Sequence, residues 1–104
     1  MKAVRIFHDK TTYPDGAIVQ MTLWQLPLST AERPHGLKYS LFYGAHDGRI
    51  VGYDNESGKG DHKHIRDVET RYKFINVETM VADFLADVER IRNEHDEKSS
   101  SECG

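Results

Sequence analysis

Two Asp-Gly pairs, Asp15-Gly16 after Pro14 and Asp47-Gly48 after His46, separate short runs of apolar residues, and this punctuation constrains the fold more than any other feature. A tight reversal needs a residue that tolerates positive φ, which Asp-Gly supplies. The flanking runs read as strands. In 37–43, Leu37, Tyr39, Leu41 and Tyr43 alternate with Lys38, Ser40 and Phe42. In 17–26, Val19, Met21 and Leu23 take one face of an extended segment, with Ile18, Trp24 and Leu26 on the other. Runs at 49–53 and 3–8 complete the set, and the turns predict sequential antiparallel pairing. Residues 27–36, with Pro27, Pro34 and Gly36, read as a longer surface loop.

A different period takes over after Asn76. Val77, Met80, Val81, Phe84, Leu85, Val88 and Ile91 recur at spacings of three and four, one apolar stripe on an α-helix for which Asn76 is a favourable N-cap. Glu78 and Asp83 stand early and Arg90 and Arg92 late, as the helix dipole prefers. One amphipathic helix and a handful of strands predict an α+β fold. The expectation is a two-layer sandwich, an antiparallel sheet of about four to five strands with one C-terminal helix packed on one face. Residues 1–92 form the single domain. Residues 93–104 are polar except for Cys103 and are expected to be a disordered tail. Trp24, Ile18 and Phe42 put apolar area on the side of the sheet that the helix does not cover. Either a second chain, giving a homodimer or a tight heterocomplex, or the 27–36 loop is expected to lie there.

Composition narrows the function. At 104 residues the chain has room for one core only, and 14 Lys and Arg against 17 Asp and Glu leave a net charge of −3, which excludes a generic basic nucleic-acid binder. No apolar run reaches the roughly 18 residues of a membrane span, and the first residues lack the apolar core of a secretion signal, so a cytoplasmic, membrane-free protein is expected. The one cysteine, Cys103, excludes an intrachain disulfide framework and a cysteine-rich zinc site.

Chemistry concentrates between 54 and 66. Here Asp54, Asp61, His62, Lys63, His64 and Arg66 surround Gly58-Lys59-Gly60. The glycines allow close backbone approach, so this segment can offer amide donors and the Lys59 ammonium to a phosphate, although it lacks the spacing of a Walker loop. If His62-Lys63-His64 is extended, both imidazoles project to the same side. Two chemistries suit such a pair. One is ligation of a divalent metal by His62 and His64 with Asp54 or Asp61. The other is cofactor-free RNA cleavage, in which one imidazole takes the 2′-hydroxyl proton, a second acid protonates the leaving oxygen, and Lys59 or Arg66 neutralises the phosphate. A plain solvated connection accounts for the same composition. The tyrosines, Tyr72 among them, read as strand packing rather than base stacking.

These residues carry a resemblance. Tyr13-Pro14-Asp15-Gly16, Trp24, Leu37-Lys38-Tyr39-Ser40-Leu41, Gly52-Tyr53-Asp54-Asn55, Gly58-Lys59-Gly60-Asp61-His62-Lys63-His64, Tyr72-Lys73-Phe74 and Asp83-Phe84 together resemble the TumE-type toxins of bacterial toxin–antitoxin modules. The likeness covers residues 1–92, and the Gly-Lys-Gly-Asp-His-x-His stretch is its most specific part. Lys63 stands where the family commonly has arginine, which keeps the charge and loses bidentate geometry. The resemblance implies a toxin with a helix-turn-helix antitoxin as partner, of a kind suspected of acting on RNA. Carried over by position, Asp54, Lys59, Asp61, His62 and His64 form the catalytic centre, with Gly58, Gly60, Lys63, Arg66 and Tyr72 around the substrate. Three readings stand: a ribonuclease-like toxin, a divalent-metal hydrolase, and a non-catalytic interaction module that docks through its exposed sheet face.

Overall fold

The protein's structure, a computed structural model, describes residues 3–31, 33–46, 48–55 and 60–103, the last of them, 95–103, by backbone alone. Six strands, β1 (Val4–Thr12), β2 (Ile18–Gln25), β3 (Leu37–Ala45), β4 (Gly48–Asp54), β5 (His62–Ile65) and β6 (Val68–Arg71), precede one helix, α1 (Val77–Cys103). The strands form one antiparallel sheet in chain order, so the class is α+β, with six strands rather than the four to five expected. The excess is the β5–β6 hairpin. Its strands are short and polar, and its turn uses no glycine: Arg66 itself takes φ +54°. The Arg66 N–H donates to the Ile50 carbonyl at 2.7 Å, which ties this turn to β4.

The β1–β2 reversal forms where Pro14-Asp15-Gly16 predicts it. Gly16 sits at φ +90° and donates to Tyr13 O at 2.9 Å, while the Asp15 carboxylate accepts the Ala17 N–H at 3.0 Å. Asp47 of the second Asp-Gly pair lies outside the described residues.

Period-two alternation divides the sheet into an apolar and a polar face. Register places Leu23 opposite Tyr39, Met21 opposite Leu41, Val19 opposite Tyr43, and Leu41 in turn opposite Tyr53. This face is the core, with Leu23, Tyr39, Leu41, Val51 and Tyr53 at most 1% exposed. Each such side chain contributes about 1.5–3 kcal/mol by leaving water. The other face carries Trp24, Phe42, Asp54, His62 and His64.

One irregularity decides what joins that second face. Tyr43 pairs with Val51 but Gly44 pairs with Arg49, so Ile50 is an extra residue in β4. The bulge breaks the alternation and turns Arg49 to the side of Gly52 and Asp54 instead of that of Val51 and Tyr53.

The chain divides into two compact units, residues 1–74 with the sheet and residues 75–104 with the helix. At the start of α1 the Asn76 side chain accepts the Thr79 N–H at 2.7 Å, as an N-cap should. Met80, Phe84, Val88 and Ile91 are buried, whereas Leu85, at the margin of the predicted stripe, is 39% exposed. Helix α1 runs to Cys103, beyond the end of its apolar stripe. Among the described residues no helix is long and apolar enough to cross a membrane.

Candidate functional site

Antiparallel pairing brings the candidate residues together across β4, β5 and β6. Asp54 lies opposite His62, Gly52 opposite His64, His62 opposite Arg71 and His64 opposite Glu69, so all project from one face. Asp54, His62 and His64 each direct a ligating atom to within 4.8 Å of the others. The two imidazoles meet edge to face, with ring centroids 5.3 Å apart.

His62 is held at both nitrogens. Its Nδ1 lies 2.9 Å from the Gly60 carbonyl and its Nε2 2.7 Å from Asp54 Oδ1. Both partners are acceptors, so each ring nitrogen faces an oxygen and the ring is fixed in orientation. Gly60 can present that carbonyl because it adopts φ +67°, in the left-handed region that glycine tolerates.

His64 lies in a different field. Burial first, and then the nearby Arg49 guanidinium, hold it below its ordinary value of 6.5, with Glu69 pulling the other way. Its Nε2 is 3.7 Å from Glu69 Oε1, beyond hydrogen-bond range. One imidazole is therefore built as a paired donor and its neighbour as a neutral ring carrying a lone pair.

Arg49 completes the cluster. Its side chain runs over Gly52, where a Cβ would come within 2.6 Å of the Arg49 Cδ, and its Nη1 reaches 3.9 Å from Asp54 Oδ2. The Arg49 side chain is 40% exposed, so an anion can reach it from solvent.

Asp61 belongs elsewhere. It accepts the Tyr39 hydroxyl at 2.7 Å and His35 Nε2 at 3.0 and 3.2 Å, on the far side of the sheet from His62 and His64. The Leu37 N–H donates to His35 Nδ1 at 3.1 Å, so the His35 proton sits on Nε2 and points at Asp61. Burial, then the bond to Asp61, push the Tyr39 phenol well above its ordinary value. This cluster, with Phe74 packed 4.2 Å from the His35 ring, anchors the entry to β5. Asn55 fixes the other end of the 56–59 connection. Fully buried, it accepts the Tyr39 N–H at 3.1 Å and donates to Leu37 O at 2.8 Å, while the Arg33 fork donates to its carbonyl at 3.1 and 2.8 Å.

The remaining candidates are dispersed. Gly58 and Lys59 lie outside the described residues. Lys63 points to the core face, its Nζ 5.6 Å from the Tyr53 ring, and Tyr72 packs on the same ring at 4.9 Å. Arg66 occupies the β5–β6 turn.

A family model described as Toxin TumE matches residues 3–92. The chain belongs to this family. TumE is the toxin of a toxin–antitoxin module, which gives the protein an antitoxin as partner. No curated protein and no solved structure matches the chain. In this TumE toxin the structure unites Asp54, His62 and His64, separates Asp61, Lys63 and Tyr72 from them, and adds two residues that sequence reading missed. Glu69 was hidden in a polar hairpin, and Arg49 was masked by the bulge. The signal for Arg49 was Gly52, a glycine inside a strand, which often marks close approach by another group.

Should a divalent ion bind this TumE toxin, Asp54, His62 and His64 offer two imidazoles and a carboxylate, a donor set suited to zinc or another late transition metal rather than magnesium.

Proposed function

We propose that this toxin cleaves RNA at the Asp54–His62–His64–Arg49 cluster by acid–base chemistry. The observation that carries the reading is the placement of a carboxylate-paired imidazole beside a second imidazole, with a guanidinium across the same face. Phosphodiester cleavage needs a base, an acid and a cation in that proximity. His64 takes the proton of the 2′-hydroxyl as its oxygen bonds to phosphorus. The bond from phosphorus to the 5′-oxygen breaks, and that oxygen takes the proton held between His62 Nε2 and Asp54 Oδ1. Arg49 pairs with the non-bridging oxygens, and Asp54 keeps His62 oriented. The products are a 2′,3′-cyclic phosphate end and a 5′-hydroxyl end. A helix-turn-helix antitoxin that covers this face would silence the activity.

Incubation of the purified protein with an end-labelled RNA, followed by end-group analysis, tests the reading. Cyclic phosphate ends are expected, with an all-deoxy oligonucleotide left intact. Loss of either imidazole costs roughly 100-fold or more. Growth inhibition that survives a folded His62→Ala/His64→Ala variant would overturn it.

A second reading follows from the mutual 4.8 Å spacing of the Asp54, His62 and His64 atoms, which suits a divalent-metal hydrolase. Activity abolished by a chelator and restored by zinc would select it over the first.

A further inference from the structure

The polar face of the sheet extends well beyond the cluster, and its charge is unlike that of the chain as a whole. Register places Arg5, Lys10 and Lys38 on this face with Arg49 and Arg71, while Asp54 and Glu69, both against the histidines, are its acids among the described strand residues. A chain of net charge −3 thus presents a cationic sheet face. Two aromatic rings stand in it. Phe42 pairs directly with Gly52, which pairs with His64, so Phe42, Gly52 and His64 form one cross-strand row with the Arg49 side chain lying over the glycine between them. Two strand spacings of about 4.8 Å set Phe42 roughly 10 Å from His64. Trp24, further along the same face, carries the Lys38 ammonium 5.5 Å from its ring centroid. Both rings are partly exposed.

We infer that this face is a binding platform for single-stranded RNA, with unpaired bases stacked on Phe42 and Trp24 and the backbone drawn over Arg49 to the histidines. The inference rests on the cleavage reading for its substrate and deepens it. The sheet face favours a polyanion because its cations are spread over it while its acids are confined to one corner, and it favours single strands because aromatic rings on a sheet reach bases only when they are unpaired. Lys38, already over the Trp24 ring, supplies a phosphate contact beside the stacked base. Phe42 stands one glycine away from His64 in that row, so the base it holds fixes which phosphate meets Arg49 and His64.

Trp24 is the only tryptophan in the chain, so its fluorescence reports the platform directly. The experiment titrates the full chain with a 2′-O-methyl octanucleotide, which cannot be cleaved, and follows Trp24 emission at two salt concentrations. Saturable quenching is expected, weakened by salt, with poor competition from a blunt duplex. Phe42→Ala weakens binding about tenfold or more, as loss of one stacked base does. Lys10→Glu, a change at an exposed edge position, weakens it with the fold undisturbed and reduces the salt slope. Absence of quenching, or affinity indifferent to both changes, overturns the platform. So does a dimer that shields Trp24 from acrylamide, since a second copy would then own the face. RNA that is cut as well by Phe42→Ala as by the native chain defeats the platform alone, whereas an octanucleotide bound as described, with natural RNA left intact, upholds the platform and defeats the cleavage reading.

Discussion

The Arg49 side chain lies across Gly52, so close that a Cβ on residue 52 would meet its Cδ at 2.6 Å. Gly52 does not have positive φ, so an alanine there strains no backbone, and the flexible arginine is what must move. Gly52→Ala therefore displaces the guanidinium from the face it shares with His64 and Asp54. A misplacement of about 1 Å in a charge-stabilising group costs on the order of 100-fold in rate. RNA cleavage is expected to fall by that order while the urea midpoint stays near the native one, and Arg49→Ala should match the loss. An active Gly52→Ala protein would remove Arg49 from the chemistry.

Burial, helped by the Arg49 cation, favours neutral His64 in the folded protein, and this makes stability depend on pH in a definite direction. The unfolded chain, with a histidine pKa of about 6.5, binds the proton more readily than the folded one. The stabilisation is complete above that value and is lost as pH falls from it toward the lower folded-state value. Native protein is expected to lose more thermal stability between pH 7.5 and 5.5 than His64→Gln does. Equal losses in the two proteins would show that His64 titrates normally in the fold.

The legibility of this chain follows where its apolar residues lie. Val19, Met21, Leu23, Tyr39, Leu41 and Tyr43 alternate because one face of the sheet is core, and that pattern fixed β2 and β3 together with the turn between β1 and β2. The helix was equally plain, since Asn76 and the Met80–Phe84–Val88 spacing carry both its start and its buried side. The β5–β6 hairpin was not, because Glu69 and Thr70 have no apolar alternation and Arg66 takes positive φ without the glycine that announces a turn. Within the site, the pairing of His62 and His64 could be read from their i, i+2 spacing. Sequence proximity misled for Asp61, which strand alternation sends to the opposite face, and it missed Arg49, which an extra residue at Ile50 brings round.

Asn55 makes a stability prediction that is independent of function. Its side chain is the partner of a buried backbone donor, Tyr39 N–H, and of the Leu37 carbonyl, extending the β3–β4 ladder by one side-chain rung. Asn55→Ala leaves both groups without that partner, at an expected cost of about 2–4 kcal/mol. Urea denaturation with the m-value unchanged is the measurement. A loss below about 1 kcal/mol would mean that water replaces the amide and that the rung is not required.

The two carboxylates that flank the histidine strand should separate stability from activity. Asp61 receives the Tyr39 hydroxyl and His35 on the core side, whereas Asp54 receives His62 on the open side. Asp61→Asn keeps an acceptor but surrenders the charge that strengthens both bonds, so it is expected to cost about 1–3 kcal/mol. Tyr39→Phe, removing one of the same bonds, should cost less. Because neither change touches the open face, cleavage by the folded fraction should stay within a few-fold of native. Asp54→Asn removes the anion that holds the His62 proton in place, so it should depress cleavage by about 100-fold or more even where the thermal midpoint barely moves. Assaying all three variants at a temperature where each is fully folded isolates the contrast. If Asp61→Asn proves the more damaging to turnover, the acid–base centre lies on the Tyr39 side of the sheet, and His35 rather than His62 becomes its imidazole.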